Sequence, residues 1–205
     1  MIKGVVFDFD LTLVDSNRAV EKTLEELRLL GLKSYDMTQK DAWGMNYNEF
    51  IRRWQKFNPQ ISFEELKELN LKTFAKYHAE ENLQGIEVLN FLRKKGLKIG
   101  LLTNNSIKNV DNVVKGSFEF DIIYTTENIV DRSKDEILKE ILEKWSLKNN
   151  ELAYVGDHVN DVKYSKLAGV IAIGITSGNH SREELEAEKP DFIIDCLEEL
   201  EEIIR

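Results

Sequence analysis

The chain has 205 residues, enough for one sizeable domain or for a core with a smaller inserted module. Its 42% hydrophobic content supports a packed core, and 37 acids against 28 bases leave a net charge of −9, which argues against a nucleic-acid partner. The single cysteine, Cys196, excludes an intramolecular disulfide, no charged leader follows Met1, and no apolar run approaches the ~18–20 residues of a membrane span. A cytoplasmic protein with no membrane partner is expected.

Short apolar runs alternate with amphipathic stretches, the pattern of a parallel sheet wrapped by helices. The first strand is expected over 4–9. From about Asp15 to Leu83 only helical periodicity follows: Val20, Leu24, Leu27 and Leu30 form one stripe that ends at Gly31. Ser62 with Glu65 opens a further helix carrying Leu66, Leu69 and Phe74. Trp43, Phe50, Trp54 and Phe57 read as the core of a small bundle, and Arg52 and Arg53 as either an anion contact or a solvated face. So long a helical interval exceeds a βα crossover. It predicts an α-helical cap domain at 15–84, inserted in a core domain formed by 1–14 and 85–205.

Beyond the insertion, helices are expected at 86–95, 106–115, 159–168 and 196–204, and strands at 98–103, 120–124, 151–156, 170–174 and 192–194. Ser133 with Glu136 marks a helix start, after which Ile137, Leu138, Ile141, Leu142 and Trp145 share one face. Ser181 with Glu184 marks another. The fold class is a doubly wound, Rossmann-like α/β core.

In such sheets ligands bind outside the carboxyl ends of the strands, at the switch in strand order. The first strand runs into Asp8-Phe9-Asp10-Leu11-Thr12, the second into Thr103-Asn104-Asn105-Ser106 and the fourth into Gly156-Asp157-His158-Val159-Asn160-Asp161. Lys134 opens the helix after the third. In an extended strand Asp8 and Asp10 would share a face and repel. Crowded carboxylates without a His/Cys cluster suit a hard cation that keeps some of its waters, Mg²⁺. His158 reads as a loop residue with no partner to orient it.

The segments "DFDLT", "LLTNN", the lysine at a helix start and "GDHVND" resemble, in order, the four motifs of the haloacid dehalogenase superfamily, in its phosphoglycolate phosphatase-like branch with a helical cap. The resemblance implies that Asp8 is the nucleophile and Asp10 the general acid/base. It implies that Thr103, Asn104 and Lys134 bind the phosphoryl group, and that Asp8, Asp157 and the backbone carbonyl of Asp10 hold Mg²⁺. Asp161 would support the metal or the lysine from behind. The activity so implied is phosphatase action on a small soluble phosphate monoester, by a monomer or homodimer. A phosphomutase, or a receiver-like phosphoacceptor, is the alternative. A dehalogenase would need neither Asp10 nor Mg²⁺. Leu11 stands where many members have glycine, and Asp135 where proline commonly follows the lysine, so Lys139 and Lys144 are weaker rivals for Lys134.

Overall fold

The computed structural model describes residues 1–33, 47–129 and 131–204. The chain forms two compact units, Ser16–Asn82 inserted into a unit made of Met1–Asp15 and Leu83–Arg205.

The inserted unit is helical: α1 (Asn17–Leu29), α2 (Tyr47–Gln55) and α3 (Phe63–His78). Ser62 starts α3 with reciprocal bonds, its Oγ accepting from Glu65 N at 3.2 Å and its N donating to the Glu65 carboxylate at 3.1 Å. Leu27, Leu32, Phe50, Ile51, Trp54 and Leu66 form the core. The buried indole of Trp54 donates to Lys33 O at 2.7 Å. Glu26 on α1 receives both Lys76 and Tyr77 of α3, at 2.6 and 2.5 Å. Two expectations are corrected here. Helix α1 ends at Leu29, so Leu30 falls off the buried stripe and is exposed, while Gly31 takes the left-handed conformation (φ 85°) that stops the helix. Phe57 lies beyond the end of α2 and is half exposed rather than packed with Phe50 and Trp54. Trp43 lies outside the described residues. Arg53 pairs with Glu49 at 2.6 Å and Arg52 lies over the Phe63 ring, the arrangement of a solvated face.

The other unit is built on six parallel strands, β1 (Gly4–Phe7), β2 (Lys98–Leu102), β3 (Ile122–Tyr124), β4 (Leu152–Gly156), β5 (Ile171–Ile175) and β6 (Phe192–Ile194), in the order β3-β2-β1-β4-β5-β6. The chain fills one half outward from β1, then returns to lay β4 on the other side of β1. The order therefore reverses between β1 and β4, where Phe7 pairs with Val155 and Asp8 N continues the ladder to Val155 O at 2.8 Å.

Both faces of β1 are buried, as a continuous apolar strand requires. Val5 and Phe7 join the layer that includes α4 (Ile86–Lys94) and α5 (Ile107–Val114). Val6 faces the layer of α6 (Lys134–Trp145), packed beside α7 (Val159–Ala168). Helix α8 (Arg182–Ala187) buries Leu185 against Val162 and Ala172. The last expected helix divides: residues Leu197–Glu199 form a 3₁₀ turn before the short α9 (Leu200–Ile203), which brings the buried Leu197 and Leu200 onto one side.

Strand β1 also stops two residues early. The backbone after Asp8 folds into a tight loop in which Leu13 N and Val14 N donate to Phe9 O at 2.8 and 3.0 Å, and Leu11 N to Val14 O at 2.6 Å. Leu11 sits at φ 62°, the left-handed region, and is buried. A leucine thus holds the conformation a glycine would take freely, at a cost on the order of 1–2 kcal/mol.

Leu138, wholly buried on α6, anchors the helix that carries Lys134. Leu138→Ala is expected to cost about 2–5 kcal/mol, read as a lower urea midpoint for the sheet unit.

Candidate active site

Asp8 and Asp10 part company. With β1 ending at Phe7, strand alternation no longer aims the two side chains together. The Asp8 carboxylate accepts from Lys134 Nζ at 3.0 Å, whereas Oδ2 of Asp10 accepts from the side-chain amide of Asn105 at 2.9 Å. The charges acting most strongly on Asp8 are those of Lys134, Asp161 and Asp157. The acids that crowd Asp8 most are those that follow β4.

Lys134 is the first residue of α6, whose start is secured by Ser133 N donating to the Glu136 carboxylate at 2.8 Å. Its buried ammonium gives one hydrogen bond each to Asp8 Oδ1, Asp161 Oδ1 (2.9 Å) and Tyr154 Oη (2.7 Å). The Tyr154 hydroxyl donates onward to Asp161 Oδ1 at 3.1 Å. Tyr154 escaped the sequence reading, although a tyrosine inside the apolar strand "LAYVG" signals a buried hydroxyl in need of a partner. Lys139 and Lys144 lie elsewhere, paired with Asp135 and Glu140 on the outer surface of α6.

Asp157 and Asp161 are both buried. Asp157 Oδ1 accepts from Thr12 Oγ1 at 3.3 Å, and Oδ2 from Asn179 N at 2.8 Å. The loop bearing Asn179 comes so near that a Cβ on Gly178 would lie 2.3 Å from Asp157 Cβ. A Cβ on Gly156 would likewise lie 2.4 Å from Asp161 Oδ2. Those two glycines are needed for close approach. Asp161 Oδ2 accepts from His158 N at 3.2 Å, closing the start of α7. His158 is a helix cap rather than an unanchored loop residue: its Nδ1 accepts from Asn160 N at 3.0 Å and its ring meets His180 edge to face, centroids 4.2 Å apart. Thr103, at the end of β2, is buried, and its hydroxyl accepts from Asn105 N at 3.0 Å. Asn104 is exposed beside it.

Ligand oxygens of Asp8, Asp157 and Asp161 all lie within 4.8 Å of one another. Burial pushes Asp8 up to about 8, with Asp161 and Asp157 adding to the rise against the pull of Lys134. Burial, reinforced by Asp161, raises Asp157 to about 7. Burial alone would lower Lys134, but Asp161 and Asp8 outweigh it and hold the ammonium well above its ordinary value. With all three acids ionised, one lysine would leave negative charge uncompensated, and the oxygen-only donor set fits a hard divalent cation. All three carboxylates already accept hydrogen bonds, Asp8 and Asp161 from Lys134 and Asp157 from Thr12 and Asn179 N.

Fold and site together define an α/β enzyme with an acidic centre at the switch point of its sheet. The chain belongs to the haloacid dehalogenase-like hydrolase family, whose pattern it matches over residues 5–175. It is 27% identical over 219 residues to the phosphoglycolate phosphatase of Vibrio parahaemolyticus, covering 99% of this chain and 96% of the relative. It is 26% identical over 232 residues to the glyceraldehyde 3-phosphate phosphatase of Methanocaldococcus jannaschii, covering 100% and 98%. A haloacid dehalogenase-like family hydrolase of Streptococcus pneumoniae has the same fold, with TM-score 0.80 at 21% identity over 100% of this chain and 99% of that one.

Because burial raises Asp8 to about 8 and Asp157 to about 7 in the folded state, above the carboxyl range of the unfolded chain near 4, cation-free stability is expected to fall as pH rises from about 4 to about 8. Added Mg²⁺ should raise the thermal midpoint more at pH 8 than at pH 5, measured by thermal unfolding across pH with and without EDTA. Gly178→Ala, which displaces Asp157, should abolish most of that Mg²⁺-induced rise.

Proposed function

We propose that this chain is a Mg²⁺-dependent phosphatase of small soluble phosphate monoesters, acting through a phosphoaspartyl intermediate on Asp8. The observation that carries the reading is the setting of Asp8, at the switch point of the sheet between the Lys134 ammonium and the buried carboxylates of Asp157 and Asp161. Relatives similar along nearly their whole length are named for phosphoglycolate and glyceraldehyde 3-phosphate, two small monoesters. On this reading the helical insertion is the cap that selects among such esters, and the enzyme is cytoplasmic, a monomer or homodimer. Among the described residues no helix is long and apolar enough to cross a membrane.

In the first half-reaction a carboxylate oxygen of Asp8 attacks phosphorus while the ester P–O bond breaks, and Asp10 gives its proton to the leaving oxygen. In the second, Asp10 takes a proton from water as the water oxygen bonds to phosphorus and the Asp8–phosphorus bond breaks, releasing phosphate. Lys134 places positive charge by the transferring group, and Thr103, with its hydroxyl accepting from Asn105 N, has its own proton to give to a phosphoryl oxygen. Asn104 is assigned a second phosphate contact. Asp161, fixed by His158 N and Tyr154, keeps Lys134 in place. Mg²⁺ held by Asp8, Asp157 and the backbone carbonyl of Asp10 would supply charge that neutralises both carboxylates and phosphoryl oxygens.

Phosphate-monoester hydrolysis demands accelerations up to ~10²¹, on the order of 29 kcal/mol. A general acid supplies only ~10²–10⁴, so positioning and charge must furnish most of the rest.

The test is phosphate release from phosphoglycolate, glyceraldehyde 3-phosphate, other sugar phosphates, nucleotides and pyrophosphate, with Mg²⁺ or EDTA. Asp8→Asn should abolish Mg²⁺-dependent turnover with the fold intact, and Asp10→Asn should permit at most slow phosphorylation of Asp8 with blocked release. Full turnover by Asp8→Asn would overturn the mechanism. No release from any ester, with Asp8 still accepting phosphate from an activated donor, would point to a phosphomutase or a receiver-like phosphoacceptor instead.

A further inference from the structure

Asn105 occupies a more constrained place than its neighbour Asn104. Its backbone N donates to Thr103 Oγ1 at 3.0 Å, and its backbone O accepts from Thr126 N at 2.9 Å. Its side-chain Oδ1 accepts from Ser106 N at 2.8 Å and from Asn109 Nδ2 at 2.8 Å. The contact with Ser106 settles the orientation of the amide, because a backbone N–H can only donate and so must face the oxygen. The Asn105 NH₂ is thereby turned to Asp10 Oδ2, at 2.9 Å. Asn109, four residues on in α5 and buried, locks the arrangement from behind.

We infer that Asn105, braced by Asn109, is the positioning residue of Asp10, aiming the acid/base carboxylate toward the leaving oxygen. The inference rests on the proposed function. Asp10 sits in the tight loop around Leu11, on a short side chain that can rotate, and the amide of Asn105 restricts that rotation. An amide N–H donates best to the unprotonated oxygen of a carboxylic acid. Oδ1 of Asp10 is then the oxygen whose proton passes to the departing alkoxide as the ester P–O bond breaks.

Proton delivery matters for a poor leaving group and hardly at all for a good one, which separates this role from general damage to the fold. The experiment compares kcat/KM, which reports phosphorylation of Asp8, for the best alkyl phosphate of the panel and for p-nitrophenyl phosphate, whose phenolate leaves without a proton. Asn105→Ala is expected to lower the alkyl value about 10- to 100-fold, a share of what general acid catalysis supplies, and the aryl value by less than about threefold. Asn109→Ala, whose side chain touches Asn105 rather than Asp10, should show the same selectivity at smaller size. An equal fall for both esters, or no fall for the alkyl ester at unchanged thermal midpoint, overturns the inference. Failure of the wild-type chain to hydrolyse either ester, or full activity in Asp8→Asn, would instead overturn the function on which it rests.

Discussion

One buried ammonium organises this site. Lys134 opens a helix, where the macrodipole disfavours positive charge, and it lies among apolar layers that penalise charge of either sign. It is tolerable there because Asp8, Asp161 and the Tyr154 hydroxyl take its three hydrogen bonds. The same contacts explain how Asp161, buried in the first turn of α7, can coexist with Asp8 and Asp157. Removing the lysine would leave three acids facing one another in a dry setting.

Crowding of this kind is expensive unless something offsets it, and the fold supplies the offset only in part. Asp157 receives Thr12 and Asn179 N, and Asp161 receives His158 N, Tyr154 and the lysine. Even so, Asp8 and Asp157 remain raised to about 8 and about 7. This residual electrostatic demand is what a cation would relieve, and a cation so held would in turn attract an anionic phosphate ester. The proposed chemistry thus follows from a stress that stays in the folded chain rather than from any one contact.

The two aspartates at the loop after β1 have different hydrogen-bond partners. Leu11 holds a positive φ in that loop, Asp8 meets Lys134 and Asp10 meets Asn105. Two networks result, one tied to α6 and α7, the other to the start of α5, and in the proposed reaction both would serve one centre. Backbone strain at Leu11 is compatible with stability because the leucine side chain is itself buried.

Much of this was legible in the residues. Apolar runs and capping pairs such as Ser62/Glu65 and Ser133/Glu136 located the elements, because hydrophobic periodicity and helix starts are local physics. The acids at strand ends and the lysine at a helix start were legible as motifs. What the sequence alone could not decide was which of those groups touch. The pairing of Asp8 with the acids after β4, the separation of Asp10, and the parts taken by Tyr154, Asn105 and Asn109 depend on contacts between segments far apart in the chain. The exposure of Leu30 and Phe57 was hidden for a related reason: each lies just past a helix end, where periodicity still points inward but the backbone has already turned away. Composition and local patterning determined the class of fold and the chemical groups on offer. Only the tertiary structure decided their partners, because strand order and close packing, not spacing along the chain, set the distances over which charges and hydrogen bonds act.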